Sequence, residues 1–173
     1  MKIITDSLRL KVIKDHETVI KSAPSDSIVW ETHVLRTLNH IAGVPHIRGT
    51  TPGICGDNMS TIVMDLMPGE PLSTLSLSDI DVKSILSQIY TILLSIYSVG
   101  VAHMSIKKED ILYSSDGVVS LIGFSKAAFI EPNPMSMFQV SPDMIGTIDR
   151  FKITGPNRIV TGSYVSLARS LGC

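Results

Sequence analysis

Cysteine is scarce in this sequence, because Cys55 and Cys173 are the only two among 173 residues. Two cysteines so far apart in the chain form neither a disulfide framework nor a zinc knuckle. We therefore expect a reducing, intracellular compartment, cytoplasmic or nuclear. Residues 1–15 also lack an apolar run long enough for a secretory signal peptide.

Neither sign of charge is in excess, since 15 lysines and arginines face 16 aspartates and glutamates, for a net charge of −1. A protein that grips nucleic acid through its phosphates needs a clear basic excess, so we expect no nucleic-acid partner. With 44% hydrophobic and only 18% charged residues, the composition also excludes a disordered chain. The length fits one domain or two small lobes.

A single long uncharged stretch, residues 84–102, has the length needed to cross a bilayer. Its apolar side chains recur with a helical period and leave a polar stripe that includes Gln88 and Thr91. We interpret the stretch as a buried core helix and expect no membrane contact. A membrane span is the alternative.

Short strands and one helix are predicted in the first part of the chain. Alternating apolar and polar residues predict the strands, at residues 3–4, 8–13, 18–21 and 60–66. The helix is predicted to start with Ser25 or Ser27 as its N-cap. Its buried face is expected to consist of Ile28, Val34, Leu35 and Leu38.

The second part of the chain is predicted to contain helices, one hairpin and a long loop. Ser78 and Asp79 predict a capped helix that leads into the long apolar one. Two short strands, at residues 111–113 and 118–122, flank a Ser-Asp-Gly turn and predict a hairpin. Prolines and glycines predict a loop from residue 131 to residue 158.

Five motifs follow one another in an order that is known from one family. Residues 18–21, Thr-Val-Ile-Lys, resemble the V-A-I-K motif of protein kinases, and residues 31–40 resemble the helix that follows it. Residues 103–112, His-Met-Ser-Ile-Lys-Lys-Glu-Asp-Ile-Leu, are similar to the catalytic loop H-R-D-L-K-x-x-N-I-L. Residues 121–125 are similar to the strand that ends in D-F-G, and residues 141–143 to A-P-E. Nearly the whole chain thus resembles a protein kinase domain.

The resemblance implies an α+β, two-lobed, protein-kinase-like fold. A small β-rich N-lobe with one helix would comprise residues 1–67, and a mainly helical C-lobe residues 68–173. The later C-lobe helices of the family have no counterpart here, so we expect a truncated C-lobe with an uncovered apolar face. A protein partner, either a kinase or a second copy of the chain, is expected to bind there, on Tyr164, Val165, Leu167 and Leu171.

Some of the family's residues are present. Lys21 and Glu31 match the lysine and glutamate that pair in kinases, and Lys107 and Asp110 match catalytic-loop positions near the phosphates. These four would form a vestigial nucleotide site. Leu35, His103 and Phe124 match family positions that form an apolar column between the lobes, so we expect them to be structural.

The departures from the family concern catalysis. Ser105 stands in place of the catalytic aspartate, and Gly123 in place of the D-F-G aspartate. No glycine precedes Gly43, so the glycine-rich loop over the phosphates is missing. We therefore expect no ATP or metal cofactor and no phosphoryl transfer.

These features resemble the reduced, inactive kinase-like proteins, or pseudokinases, that some large DNA viruses carry. The resemblance implies a binding or regulatory module, or a decoy for signalling kinases of a host cell. The alternative is an unconventional active Ser/Thr protein kinase that binds ATP weakly through Lys21, Lys107 and Asp110.

Overall fold

A computed structural model describes residues 2–7, 10–51, 58–76, 81–131, 167 and 169–171 of the chain. Three predicted features lie outside these residues: the helix start at Ser78 and Asp79, the A-P-E-like residues 141–143, and the expected surface residues Tyr164 and Val165. The prediction of a loop at residues 131–158 falls almost entirely outside them as well.

The first part of the chain forms a five-stranded antiparallel sheet with the strand order β1-β2-β3-β5-β4. Its strands are β1 (Lys2–Ser7), β2 (Leu10–Asp15), β3 (Thr18–Pro24), β4 (Ile47–Thr51) and β5 (Met59–Asp65). The predicted strands are confirmed, with β3 extending three residues beyond its predicted end. β3 lies at the centre of the sheet, between β2 and β5, and this position fixes the side chain of Lys21 relative to the helix that follows.

The helix α1 (Ser25–Thr37) begins directly at the end of β3. The predicted serine cap is wrong, because Pro24 is the N-cap residue and no side chain caps the helix. Ser25 instead accepts a hydrogen bond from the Ser60 hydroxyl on β5 at 2.9 Å, which ties the helix start to the sheet. The predicted buried face is confirmed, with exposures of 2% or less at Ile28, Val34, Leu35 and Leu38.

A second helix, α2 (Val82–Ser98), carries the long apolar stretch. The Asp81 side chain caps it by accepting a hydrogen bond from the Ser84 backbone N–H at 3.1 Å. One face is buried, through Ile85, Leu86, Ile89, Ile92, Leu93, Ile96 and Tyr97. Within the described part of the chain, no helix has both the length and the apolar character that crossing a membrane requires.

The second part of the chain also contains short strands. They are β6 (Glu70–Pro71), β7 (Val101–Ala102), β8 (Ile111–Tyr113), β9 (Val119–Leu121) and β10 (Ala128–Phe129). β8 and β9 form the predicted hairpin, and β7 pairs with β10. Gln88 of α2 holds the hairpin in place, because its side chain donates to the Gly117 carbonyl at 2.9 Å and accepts from the Val119 N–H at 3.0 Å.

Among the described residues, a cluster of buried apolar side chains connects the sheet, α1, α2 and the hairpin, and Phe124 is among its largest fully buried members. Leu167 and Leu171 belong to this cluster and are only 2% and 6% exposed. The expectation that these two leucines lie on an open face is therefore wrong. Packing against the chain's own core removes their apolar surface from water without a partner.

Replacing Phe124 by alanine should lower the free energy of unfolding by about 3–5 kcal/mol, because the change removes core contacts and leaves a cavity. Chemical denaturation measures this quantity. Val118→Ala is the matched control, since Val118 is 49% exposed, and its effect should stay below about 0.5 kcal/mol. An unchanged stability in Phe124→Ala would show that this side chain does not support the core.

Candidate functional site

A buried ion pair lies between the sheet and α1. Lys21 Nζ of β3 is 2.6 Å from Glu31 Oε2 of α1, and the two side chains are 14% and 3% exposed. Glu31 follows Ile28 by three residues and precedes Leu35 by four, so the inner face of the helix carries it toward the sheet. A carboxylate this deeply buried requires a partner, and Lys21 supplies it.

His103, at the start of the predicted catalytic loop, is buried and hydrogen-bonded. Its Nε2 donates to the Ile122 carbonyl at 2.8 Å, and its ring meets the Phe124 ring edge-on, with centroids 4.7 Å apart. Burial lowers the pKa of His103, which keeps the imidazole neutral near pH 7. Leu35 is 1% exposed and belongs to the same core cluster as Phe124. These contacts are those of a packed side chain, in line with the structural role predicted for the three residues.

The loop turns sharply after His103. Met104 has a φ of 66°, in the left-handed region that few residues other than glycine adopt. The next residue, Ser105, is half-buried, and its N–H donates to the His103 carbonyl at 2.9 Å. A serine hydroxyl has no useful basicity near neutral pH, so Ser105 cannot accept a proton as an aspartate would.

The Asp110 carboxylate lies directly against Gly123. Gly123 has a φ of 85°, and a Cβ built on it would clash with Asp110 Oδ1 and lie 3.0 Å from Asp110 Cγ. The Asp110 carboxylate therefore lies against the backbone where a side chain at position 123 would begin. Backbone hydrogen bonds hold the two segments side by side, because the Asp110 N–H donates to the Lys107 carbonyl at 3.0 Å and its carbonyl accepts from the Ile122 N–H at 2.8 Å.

The environment of Asp110 disfavours its charge. Burial raises the pKa of its carboxyl from 3.8 to about 6, although the nearby charges of Lys107 and Lys21 act in the opposite direction. A carboxyl with this pKa is partly protonated near neutral pH. At neutral pH a smaller fraction of Asp110 is therefore charged than of an ordinary exposed aspartate.

The structure places the four predicted nucleotide-site residues as follows. Lys21 and Glu31 form a direct contact, and Asp110 is close enough to Lys21 for their charges to interact. Lys107 is exposed on the loop, and both its backbone carbonyl and its charge act on Asp110. Within the described residues, no group of three or more histidine, cysteine, aspartate or glutamate side chains is placed to hold a metal ion.

A group of aromatic side chains that no sequence motif predicts lies next to the ion pair. Trp30, the only tryptophan of the chain, donates its Nε1–H to the Ala127 carbonyl at 2.8 Å. Its ring meets the Phe129 ring edge-on with centroids 5.6 Å apart, and the His33 ring lies 4.9 Å from Phe129. The sequence feature that could have indicated this group is the position of Trp30 directly before Glu31.

A pocket outside the predicted site has a volume of about 550 Å³ and borders residues 66–69. Arg48 Nε donates to Asp65 Oδ1 at its edge, and His46 Nδ1 lies 3.6 Å from Asp65 Oδ2. The hydrogen bond with Asp65 raises the pKa of the exposed Arg48 guanidinium. The sequence contains no motif that indicates this cluster.

Comparison with known proteins connects the site to a family. Residues 5–146 match the family model described as protein kinase domain. The chain is also similar to the serine/threonine-protein kinase PSK1 of Saccharomyces cerevisiae, with 28% identity over 74 residues. That stretch is 43% of this chain but only 5% of the yeast protein.

Asp110 should make the stability of the protein depend on pH. Its pKa is raised to about 6 in the folded chain, against 3.8 ordinarily. The folded chain therefore favours the protonated carboxyl. The stability that this preference contributes is fully present below pH 3.8 and is lost as the pH rises through 6. Asp110→Asn, which resembles the neutral form, should be more stable than wild type above pH 6 and should converge with it below pH 4.

Urea denaturation at several pH values measures this difference. Asp116→Asn is the control, because Asp116 is an exposed carboxylate in the hairpin turn. Its stability should follow that of the wild type at every pH. A constant difference between Asp110→Asn and wild type from pH 4 to pH 8 would contradict the raised pKa.

Proposed function

Because this chain belongs to the protein kinase family, we propose that it is an inactive member, a pseudokinase, that serves as a binding or regulatory module. Phosphoryl transfer is catalysed mainly by positioning and by neutralising charge on the phosphates. It requires a lysine held by a glutamate, oxygen ligands for Mg²⁺, and a residue that accepts the substrate's proton. We call the site of Lys21, Glu31, Lys107 and Asp110 the cleft, and of these requirements it retains the first.

The relation between Asp110 and Gly123 is the observation that carries the proposal. Two metal-binding positions of the family coincide with these residues, and Asp110 fills the volume in which a side chain at position 123 would lie. At these two positions the chain thus has one carboxylate in place of two separate oxygen ligands. Burial raises the pKa of that carboxylate to about 6, which weakens it further as a ligand for a divalent cation.

The proton acceptor and the phosphate loop differ as well. Ser105 occupies the position of the catalytic aspartate and is too weakly basic to replace it. In the first hairpin Ser7 pairs with Leu10, and no glycine occurs before Gly43 to allow a backbone to wrap closely around phosphates. These residues do not fit ATP with its metal ions, so we assign no cofactor and no catalytic step to the cleft.

A weakly active kinase is the second candidate, and the ion pair favours it. Lys21 and Glu31 are 2.6 Å apart, the arrangement that a kinase uses to hold its phosphate-binding lysine. Such an enzyme would depend on Lys21, Lys107 and Asp110. A pair buried to this extent also has a purely structural use, because it joins α1 to the sheet.

The proposed binding role calls for a protein partner, and we propose a signalling kinase or a second copy of this chain. The outer face of α1 supports this, because Val29 and Trp30 are 65% and 40% exposed there. Exposed apolar side chains that lie close together are typical of protein-binding surfaces. The chain covers only a small part of the yeast relative, so that protein's activity gives no guidance on the partner.

Purified protein should transfer no phosphate from γ-labelled ATP to itself or to a generic substrate, with either Mg²⁺ or Mn²⁺. The physical reason is that the proton acceptor and one metal ligand are missing. Lys21→Ala is the control for a trace of contaminating kinase. Incorporation by the wild type that disappears in Lys21→Ala would overturn the pseudokinase proposal and support the active alternative.

Gly123→Asp should create a cation site that the wild type lacks. The new side chain forces Asp110 to rotate and places two carboxylates together, and a bound cation relieves their repulsion. Mn²⁺ should therefore raise the melting temperature of Gly123→Asp and leave that of the wild type unchanged.

Gly117→Asp is the matched control, because Gly117 has a similar φ of 78° and lies in the hairpin turn, away from the cleft. Both variants should lose about 1 kcal/mol of stability from the unfavourable backbone, but Mn²⁺ should stabilise only Gly123→Asp. Equal stabilisation of the wild type by Mn²⁺ would show that Asp110 alone holds a cation, contrary to the proposal.

A further inference from the structure

The side chains around Trp30 connect α1 to the segment that follows Gly123. Trp30 Nε1 donates to the Ala127 carbonyl at 2.8 Å, and the Trp30 and Phe129 rings meet edge-on at 5.6 Å. One helical turn after Trp30, the His33 ring lies 4.9 Å from Phe129. We call Trp30, His33, Phe129 and the Ala127 carbonyl the aromatic clasp.

The far side of the clasp is anchored to the second part of the chain. Phe129 lies on β10, which pairs with β7 through Ala128 with Ala102 and Phe129 with Val101. The next residue, Ile130, donates its N–H to the Gly100 carbonyl at 2.8 Å. β7 directly precedes His103, so the clasp joins α1 to the strand that leads into the loop of Ser105 and Asp110.

The clasp and the ion pair hold α1 on two different faces. Trp30 and Glu31 are adjacent, and adjacent residues point about 100° apart around a helix. Glu31 meets Lys21 on the sheet side, whereas Trp30 meets Ala127 and Phe129 on the other. A helix held on two faces can neither rotate about its axis nor move away from the sheet without breaking one of these contacts.

We propose that the aromatic clasp fixes α1 in the position where Glu31 meets Lys21, so that this pairing is a permanent feature of the folded chain. The edge-to-face contact and the indole hydrogen bond supply the necessary free energy. The proposal holds whether or not the protein transfers phosphate.

The exposure of the rings supports this role. Trp30 and Phe129 are 40% and 39% exposed, so burial alone does not account for their placement. Their directional contacts do, because the indole hydrogen bond and the edge-to-face contact of the two rings have the distances typical of such interactions.

The reactivity of Lys21 tests the proposal. An amine-acylating reagent modifies lysines, and mass spectrometry measures the rate at each one, with exposed Lys83 of α2 as the internal reference. Trp30→Leu and Phe129→Leu keep an apolar side chain but remove the clasp. Each should accelerate acylation of Lys21 relative to Lys83 by at least about fivefold, because Glu31 no longer holds the ammonium. The double variant should gain little more than the larger single effect, since both changes break the same connection.

Two further variants define the limits of the measurement. Glu31→Gln removes the ion pair itself and sets the upper limit of the Lys21 rate. Val118→Ala changes a 49% exposed apolar side chain outside α1 and the clasp, and its rate should equal that of the wild type. An unchanged Lys21 rate in both leucine variants, with acceleration in Glu31→Gln, would overturn the proposal.

Amide hydrogen exchange on the unmodified protein gives a second measurement that needs no variant. If the clasp holds α1, the amides of residues 29–35 and those of residues 128–130 should open together with the same protection. Much weaker protection of α1 than of residues 128–130 would show that the helix moves independently, and would overturn the proposal.

Discussion

The buried pair of Lys21 and Glu31 determines which face of α1 turns toward the sheet, and the aromatic clasp holds the helix in that orientation. An ionised glutamate that is 3% exposed is tolerated only with a partner, and its partner is on the central strand of the sheet. The helix must therefore dock in one orientation, with Glu31 inward. That orientation also turns Trp30 toward Ala127 and Phe129, so the ion pair and the aromatic clasp are consistent with each other geometrically. Since the segment of the clasp begins just after Gly123, the same docking determines the surroundings of the cleft.

The chemistry of the cleft follows from the position of Asp110 beside Gly123 and from the effect of burial on the pKa values of Asp110 and His103. A single carboxylate, Asp110, occupies the volume beside Gly123 and is itself destabilised as an anion by burial. His103 is neutral for the corresponding reason, since burial lowers its pKa. Near pH 7, His103 is therefore neutral and the Asp110 carboxyl is partly protonated.

The sequence predicts those parts of the structure that depend on local patterns. The pairing of Lys21 with Glu31 was predictable because both residues belong to motifs of the family, and the structure places them 2.6 Å apart. The start of α1 was not predicted correctly, because Pro24 allows β3 to continue directly into the helix and leaves Ser25 free to bond to β5. The relation of Asp110 to Gly123 depends on a side-chain rotamer, and the clasp depends on the pairing of β10 with β7. Both are set by long-range packing that no periodicity in the sequence reports.

The difference between retained and replaced residues has a physical logic. Phe124 and Leu35 are almost fully buried, and truncating such side chains costs several kcal/mol of stability, on the order of 3–5 for a phenylalanine. Catalytic carboxylates in a cleft are different, because each one adds a desolvated charge and repels its neighbours. Serine at position 105 and glycine at position 123 remove two such charges, and Asp110, which remains, still shows the cost in its raised pKa. A kinase fold that no longer has to transfer phosphate can therefore lose its carboxylates without losing its core. The packing of this chain and the proposed loss of activity are thus compatible within one structure.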